Sequence, residues 1–185
     1  MSRKNEIAFE IFTATQLPPQ ERRNALKELA ERTTDPEDQA LLTDYTIMSK
    51  SYLTLTSVAS GLTDKTQVNR LEDIVINDGN PAYIIDFAEN VPLANIQRLQ
   101  QIIINTQLLR SIANFAIYVK DANLPLLAKE FIKLVDITDN YTMGELQYFI
   151  DKGKLSASDF AEIAKEQGKT ELTDFLLNNH SEQTE

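Results

Sequence analysis

Leu71–Arg98 reads LEDIVINDGNPAYIIDFAENVPLANIQR, and Leu99–Leu126 reads LQQIIINTQLLRSIANFAIYVKDANLPL. With an offset of 28 residues, ten positions are identical: Leu71/Leu99, Ile74/Ile102, Ile76/Ile104, Asn77/Asn105, Ile84/Ile112, Phe87/Phe115, Ala88/Ala116, Val91/Val119, Ala94/Ala122 and Asn95/Asn123. The shared positions are apolar or Asn, which is the pattern left when a duplicated segment keeps its core and caps while its surface drifts. A period in this range points to stacked helical hairpins rather than to a catalytic fold. The predicted class is therefore all-α: a helical-hairpin repeat, solenoid-like, with atypical capping helices at both ends.

Within each copy, Ile84, Phe87, Ala88 and Val91, and their counterparts Ile112, Phe115, Ala116 and Val119, fall on one helical stripe. The small Ala beside each Phe predicts a close helix approach with the ring filling the adjacent groove. Asn80-Pro81 starts a helix running to Val91. Further helices are predicted from Asn95 to Asn105, from Leu108 to Lys120 and from Asn123 to Asp136. Asn95 and Asn123 precede apolar helices and are expected to accept from first-turn N–H groups. Asn77 and Asn105 are expected to close helices in the left-handed conformation. The four Asn could instead form a polar ladder for a peptide backbone.

The string YIIDFAENVPLANIQRLQQIII (83–104), with its echo SIANFAIYVKDANLPLLAKEFI (111–132), resembles a short helical repeat found in uncharacterised proteins of Firmicutes and their phages. The pattern is Y-I-x-x-F-A-x-x-V-x-x-A-N-I-x-x-L-x-x-x-I, and the similarity covers residues 71–134. The second copy departs from it with Ser111 for Tyr83, Leu124 for Ile96, and Pro125 near a helix start. The resemblance implies a helical-repeat scaffold and a phage or mobile-element origin. It transfers no catalytic residue.

On the N-terminal side, Ile7, Ile11 and Phe12 are predicted to share one face of a first helix, stopped by Leu17-Pro18-Pro19. A second helix carries Ala25, Leu26 and Leu29. Asp35-Pro36-Glu37-Asp38 is a strong start signal, with an N-cap acid, Pro at the first helical position and acids in the first turn. One long helix is predicted from there to Gly61, because Leu41, Tyr45, Met48, Tyr52, Leu55, Ala59 and Leu62 form a heptad-like seam. YLTLTSV inside it alternates like a strand, but the seam continues on both sides and decides for helix. Asp64 with Gln67 resembles a capping arrangement for the next helix.

On the C-terminal side, Thr142-x-x-Glu145 and Ser156-x-x-Asp159 read as capping boxes, and Gly153 and Gly168 as residues closing helices. The helices there carry Leu146, Phe149 and Ile150, then Phe160, Ile163 and Ala164, then Leu172, Phe175, Leu176 and Leu177. Residues 178–185 are polar and expected to fray. No Gly/Ser/Pro linker interrupts the chain. A single helical domain over 1–185 is expected, with N-terminal helices at 1–62, the two-copy repeat at 63–136, capping helices at 137–179 and a tail at 180–185.

The chain has 185 residues, 42% of them hydrophobic, enough to build a proper core. No run of 18 apolar residues exists, so no membrane association is expected. MSRKNEIAFEIFTATQ lacks an apolar h-region and reads as a helix rather than a signal peptide. The absence of Cys agrees with a reducing, cytoplasmic setting. The net charge of −10 is uneven: residues 1–70 hold 9 basic and 10 acidic side chains, residues 71–185 hold 9 and 18. No basic cluster is present, which argues against direct nucleic-acid binding. An acidic half suits a protein partner with a basic surface.

There is no P-loop, no GxGxxG and no GxSxG. The sole His is His180, in the tail, so no His-based triad has a base. No catalytic, cofactor-binding or metal site is predicted. The acid pairs Glu72/Asp73, Asp86/Glu89 and Asp136/Asp139 leave a carboxylate-dependent helical enzyme as the third reading. The first is a non-enzymatic interaction module, an adaptor or inhibitor. The second is an acidic nucleic-acid mimic occupying a nucleic-acid-binding or defence protein, although the interspersed Lys120, Lys129, Lys133, Lys152 and Lys154 break any continuous acidic row. The candidate partner-binding residues are Ile117 and Tyr118, where the first copy has Glu89 and Asn90, together with Asn95 and Asn123. A monomer is expected over a homodimer, since Ala59 and two Tyr make a poor zipper.

Overall fold

A computed structural model of the chain describes residues 3–180. Among the described residues there are twelve α-helices and no strand: α1 (Arg3–Thr15), α2 (Pro19–Arg32), α3 (Pro36–Met48), α4 (Tyr52–Gly61), α5 (Lys65–Asp78), α6 (Pro81–Asn90), α7 (Ile96–Asn105), α8 (Leu109–Tyr118), α9 (Leu124–Leu134), α10 (Asn140–Lys152), α11 (Ala157–Glu166) and α12 (Thr170–His180). The fold class is all-α. The strand-like YLTLTSV lies inside α4.

The helices gather into two compact units, Met1–Asn95 and Ile96–Glu185. In the first, α1 packs on α2 and α3, α2 on α4, α3 on α4 and α5, and α6 on α4 and α5. In the second, α8 packs on α7, α9 and α10, α9 also on α11, and α11 on α12.

The local start signals explain most of the boundaries. Asp35 accepts from the Glu37 and Asp38 N–H groups at 2.9 and 3.1 Å ahead of Pro36. Asn80 accepts from the Ala82 N–H ahead of Pro81. Ser156 and Asp159 form a complete capping box for α11. Such caps satisfy first-turn donors that no intrahelical carbonyl reaches.

Several expectations are corrected. The long helix from Asp35 to Gly61 is two helices, broken at Ser49–Ser51, where Lys50 takes φ 53 and the Ser51 hydroxyl caps α4. The heptad-like seam is consequently not one stripe. Met48 is 72% exposed, while α3 buries Gln39, Leu42, Thr43 and Thr46 instead. Phe12 is 63% exposed, because the buried stripe of α1 runs Ile7, Ile11, Ala14. Gln67 does not close a box with Asp64. The Asp64 N–H is taken by Gln39 Oε1 at 3.0 Å, a partner 25 residues away. Thr142 lies inside α10, whose cap is Asp139, and Glu145 pairs with Arg110. Gly168 closes α11 with φ 73, whereas Gly153 ends α10 at φ −82, where a Cβ would lie 2.4 Å from the Phe149 carbonyl oxygen. Phe175 and Leu177 are exposed, and α12 buries Leu172 and Leu176. The helix α12 continues to His180, whose side chain, like residues 181–185, lies outside the described residues.

The ten identical positions of the two copies occupy matching environments. Leu71/Leu99, Ile84/Ile112, Phe87/Phe115, Ala88/Ala116 and Val91/Val119 are buried, the Ile74/Ile102, Ile76/Ile104 and Ala94/Ala122 pairs are half-buried, and both Asn pairs are exposed. Backbone bonds repeat as well. Val91 N–H donates to the Phe87 carbonyl and Val119 N–H to that of Phe115, both at 3.0 Å. The left-handed residue falls two places after the expected Asn77 and Asn105, at Gly79 (φ 75) and Gln107 (φ 54). Gly79 adopts that conformation without a Cβ penalty; Gln107 does not.

Candidate protein-binding surface

Each copy closes its hairpin with the same tether. In the first, the Glu72 side chain of α5, fully buried, accepts the Asn95 N–H at 2.8 Å. In the second, the Gln100 side chain of α7, also buried, accepts the Asn123 N–H at 2.8 Å. Glu72 and Gln100 are the same repeat position in two chemical forms that share a carbonyl-type oxygen at the same reach. Asn95 and Asn123 thus owe part of their placement to their backbone. The Asn123 side chain also acts as a cap, accepting from Leu126 N–H at 3.1 Å. Both Asn side chains are exposed, one in each unit.

Ile117 and Tyr118 end α8. Ile117 is half-buried and Tyr118 is 50% exposed. Their counterparts Glu89 and Asn90 are exposed polar residues. Nearby on the same helix, Asn114 accepts from the Tyr148 hydroxyl of α10 at 2.9 Å. Arg110 lies 3.8 Å over the Tyr148 ring and forks onto Glu145 at 2.6 and 2.9 Å. The Glu145 carboxylate holds the Arg110 guanidinium above its usual range. The second unit thereby fixes α8 against α10 and leaves the Tyr118 end presented at the surface.

In each acid pair singled out for chemistry, at least one member has a structural partner, Glu72 through the Asn95 N–H. Asp86 takes both terminal nitrogens of Arg23 at 3.3 Å. Asp139 caps α10 through Tyr141 N–H at 3.0 Å. Asp136 accepts from the Thr138 N–H and hydroxyl at 2.9 and 2.8 Å, and these bonds hold its carboxyl below the ordinary range. Beside it, Lys169 donates to the Lys133 and Val135 carbonyls at 3.1 and 2.7 Å, capping the end of α9. Burial pushes the Lys169 ammonium below its usual range, and Asp136 opposes that shift. Among the described residues no group of three His, Asp or Glu side chains stands close enough to hold a metal ion, and no helix is long and apolar enough to cross a membrane.

Sequence reasoning missed a groove of about 590 Å³ in the second unit, between the end of α7, the start of α8 and the outer face of α9. Ile104, Leu126 and Leu134 line it with apolar surface, and Gln101, Asn105 and Gln107 with amides. Its residues come from three helices, so no local spacing marks them; the one available signal was the divergence of Gln101, Gln107 and Leu126 from Asp73, Gly79 and Arg98. Comparison with known protein families, with curated proteins and with solved structures returns no match.

Proposed function

We propose that the chain is a non-enzymatic protein-interaction module, an adaptor or inhibitor built on a duplicated helical hairpin, and that the Tyr118 end of α8 is its contact surface. The observation that carries this reading is the substitution of an exposed Glu-Asn pair in the first copy by an aliphatic and an aromatic residue in the second, with Tyr118 half-exposed. An aromatic anchor beside apolar surface is the usual centre of a protein interface. The surplus of acidic side chains favours a partner with a basic surface. Surface acids here are interleaved with bases, as in Arg3–Asp38, Arg23–Asp86 and Arg70–Asp44, which supports a mixed protein interface over a phosphate-like acidic row.

The test is Ile117→Glu combined with Tyr118→Asn, which restores the first copy's residues. Capture of partners from a lysate of the native host, with wild-type and variant chains as baits, is compared alongside their melting temperatures. The expected result is a partner retained by the wild type and lost by a variant that melts normally. A variant that unfolds, or that captures the same partner equally well, overturns the reading.

A further inference from the structure

We infer that the groove between α7, α8 and α9 is a binding site for an uncharged, extended peptide segment carrying one aliphatic side chain. The inference adds a second surface to the interaction-module reading and rests on it.

The groove's volume of about 590 Å³ lies in the range typical of ligand sites. Its only charged residues are Glu130 and Lys133, which pair with each other at 2.5 Å. Gln101 Nε2 donates to Asn105 Oδ1 at 3.0 Å. That bond aligns two amides and leaves Gln101 Oε1 as an acceptor and Asn105 Nδ2 as a donor, neither with a partner among the described residues. One acceptor beside one donor is the complement of a single peptide group. Gln107 supplies a further amide on the rim. Below them, Ile104, Leu126 and Leu134 are half-buried and offer apolar surface to a side chain. Main-chain hydrogen bonds combined with a side-chain pocket are how extended peptides are recognised.

The groove's own lining decides the charge of the ligand, because its one acid and one base are paired with each other. Three groove positions are common to both copies, Ile104 matching Ile76, Asn105 matching Asn77 and Ile112 matching Ile84. The positions that differ have changed in one direction: Gln101 stands for Asp73, Leu126 for Arg98 and Gln107 for Gly79. Two charges of opposite sign have gone, and amide and aliphatic groups replace them. Elsewhere the second copy loses the charges of Glu72, Asp78, Asp86 and Glu89 and gains Arg110, Lys120 and Asp121. A neutral, amide-rimmed groove complements a neutral segment and disfavours a charged one, whose desolvation it would not repay. Gln107 strengthens the point. It holds a left-handed conformation that glycine adopts more cheaply, and a Cβ at its counterpart Gly79 would touch nothing. The turn itself does not require the glutamine side chain.

The experiment is selection from a displayed library of random heptapeptides on the immobilised full chain. Affinities of an enriched peptide are then measured for the wild type, Gln101→Asp, Gln107→Gly, Leu126→Arg and the Ile117→Glu/Tyr118→Asn variant. Enriched peptides are expected to be uncharged around one Leu, Ile or Val. Gln101→Asp and Leu126→Arg should each weaken binding by about tenfold or more, Gln107→Gly by several-fold, and the α8 variant not at all. Gln101 and Gln107 are exposed, so those two variants keep the fold, and they alone decide the outcome if Leu126→Arg melts early. No enrichment, a preference for charged peptides, or affinity unmoved by the Gln101 and Gln107 variants overturns the inference. Affinity lost only in the α8 variant overturns it while leaving the interaction-module reading standing.

Discussion

Replacing Gln100 by Met keeps the length and most of the volume of the side chain but removes the oxygen that accepts the Asn123 N–H at 2.8 Å. Gln100 is only 5% exposed, so water does not readily replace the lost acceptor. Leaving a shielded amide unpaired costs about 1–3 kcal/mol. For a chain of this size that corresponds to a fall of roughly 2–12 °C in melting temperature. Gln100→Ala should cost more, because it adds a cavity to the lost bond. Gln100→Glu should retain the bond, since Glu72 makes it from the matching position in the first copy. Thermal and urea unfolding give the stability change. Residue-resolved hydrogen exchange reports directly on the Asn123 amide, which should lose protection in the Met and Ala variants and keep it in the Glu variant. A Met variant as stable as wild type, with Asn123 still protected, would refute the tether.

The Phe87 and Phe115 rings are both fully buried, and Phe87→Ala and Phe115→Ala should each cost about 3–5 kcal/mol in urea unfolding; a near-neutral change at either site would show that the two slots are not equivalent. Asp159 is held below its ordinary value of 3.8 by the Ser156 hydroxyl and N–H, so the unfolded chain binds the proton more readily. The stabilisation is thus fully present above about pH 4 and is lost as the pH falls through the folded-state value; Asp159→Asn should flatten that part of the urea-midpoint profile between about pH 2 and 5, and an unchanged slope counts against the capping box.

The elements that could be read in advance are those whose cause is local. Asp35, Asn80 and Ser156 bond to donors two or three residues away, so a cap is visible in a window of four residues. The buried stripe of Phe87, Ala88 and Val91 was legible because its counterpart repeats it. The break at Ser49–Ser51 was not, because the apolar spacing carries across it while Ser51 offers only a weak signal of a new cap. Thr142-x-x-Glu145 has the form of a capping box, yet Asp139 captures the helix start first and Glu145 is drawn to Arg110, 35 residues away. The Glu72 and Gln100 tethers escaped notice for two reasons: the residues are not identical, and their partners are backbone N–H groups 23 residues on, which carry no side-chain signature. Of the candidate site, Ile117 and Tyr118 stood out as a contrast between copies, whereas the groove required three helices to be brought together.

The two copies also separate what the fold requires from what it does not. Where they agree, the residue is buried, half-buried, or an exposed Asn at a helix boundary, and its environment is the same in both. Where they differ, three changes bear on the hairpin and its surface. Glu72 to Gln100 conserves an acceptor and with it the tether, so that change is neutral to the architecture. Gly79 to Gln107 goes against the local backbone preference, because a left-handed side chain is disfavoured by about 1–2 kcal/mol where glycine is not. Glu89 to Ile117 places an apolar residue where a solvated one served. Neither of the last two changes follows from a demand of the hairpin, since the first copy closes the same hairpin without them. They lie at opposite ends of α8, Gln107 just before it and Ile117 in its last turn. Both changes fall at the ends of α8, so the proposed contact surface is tested first on that element.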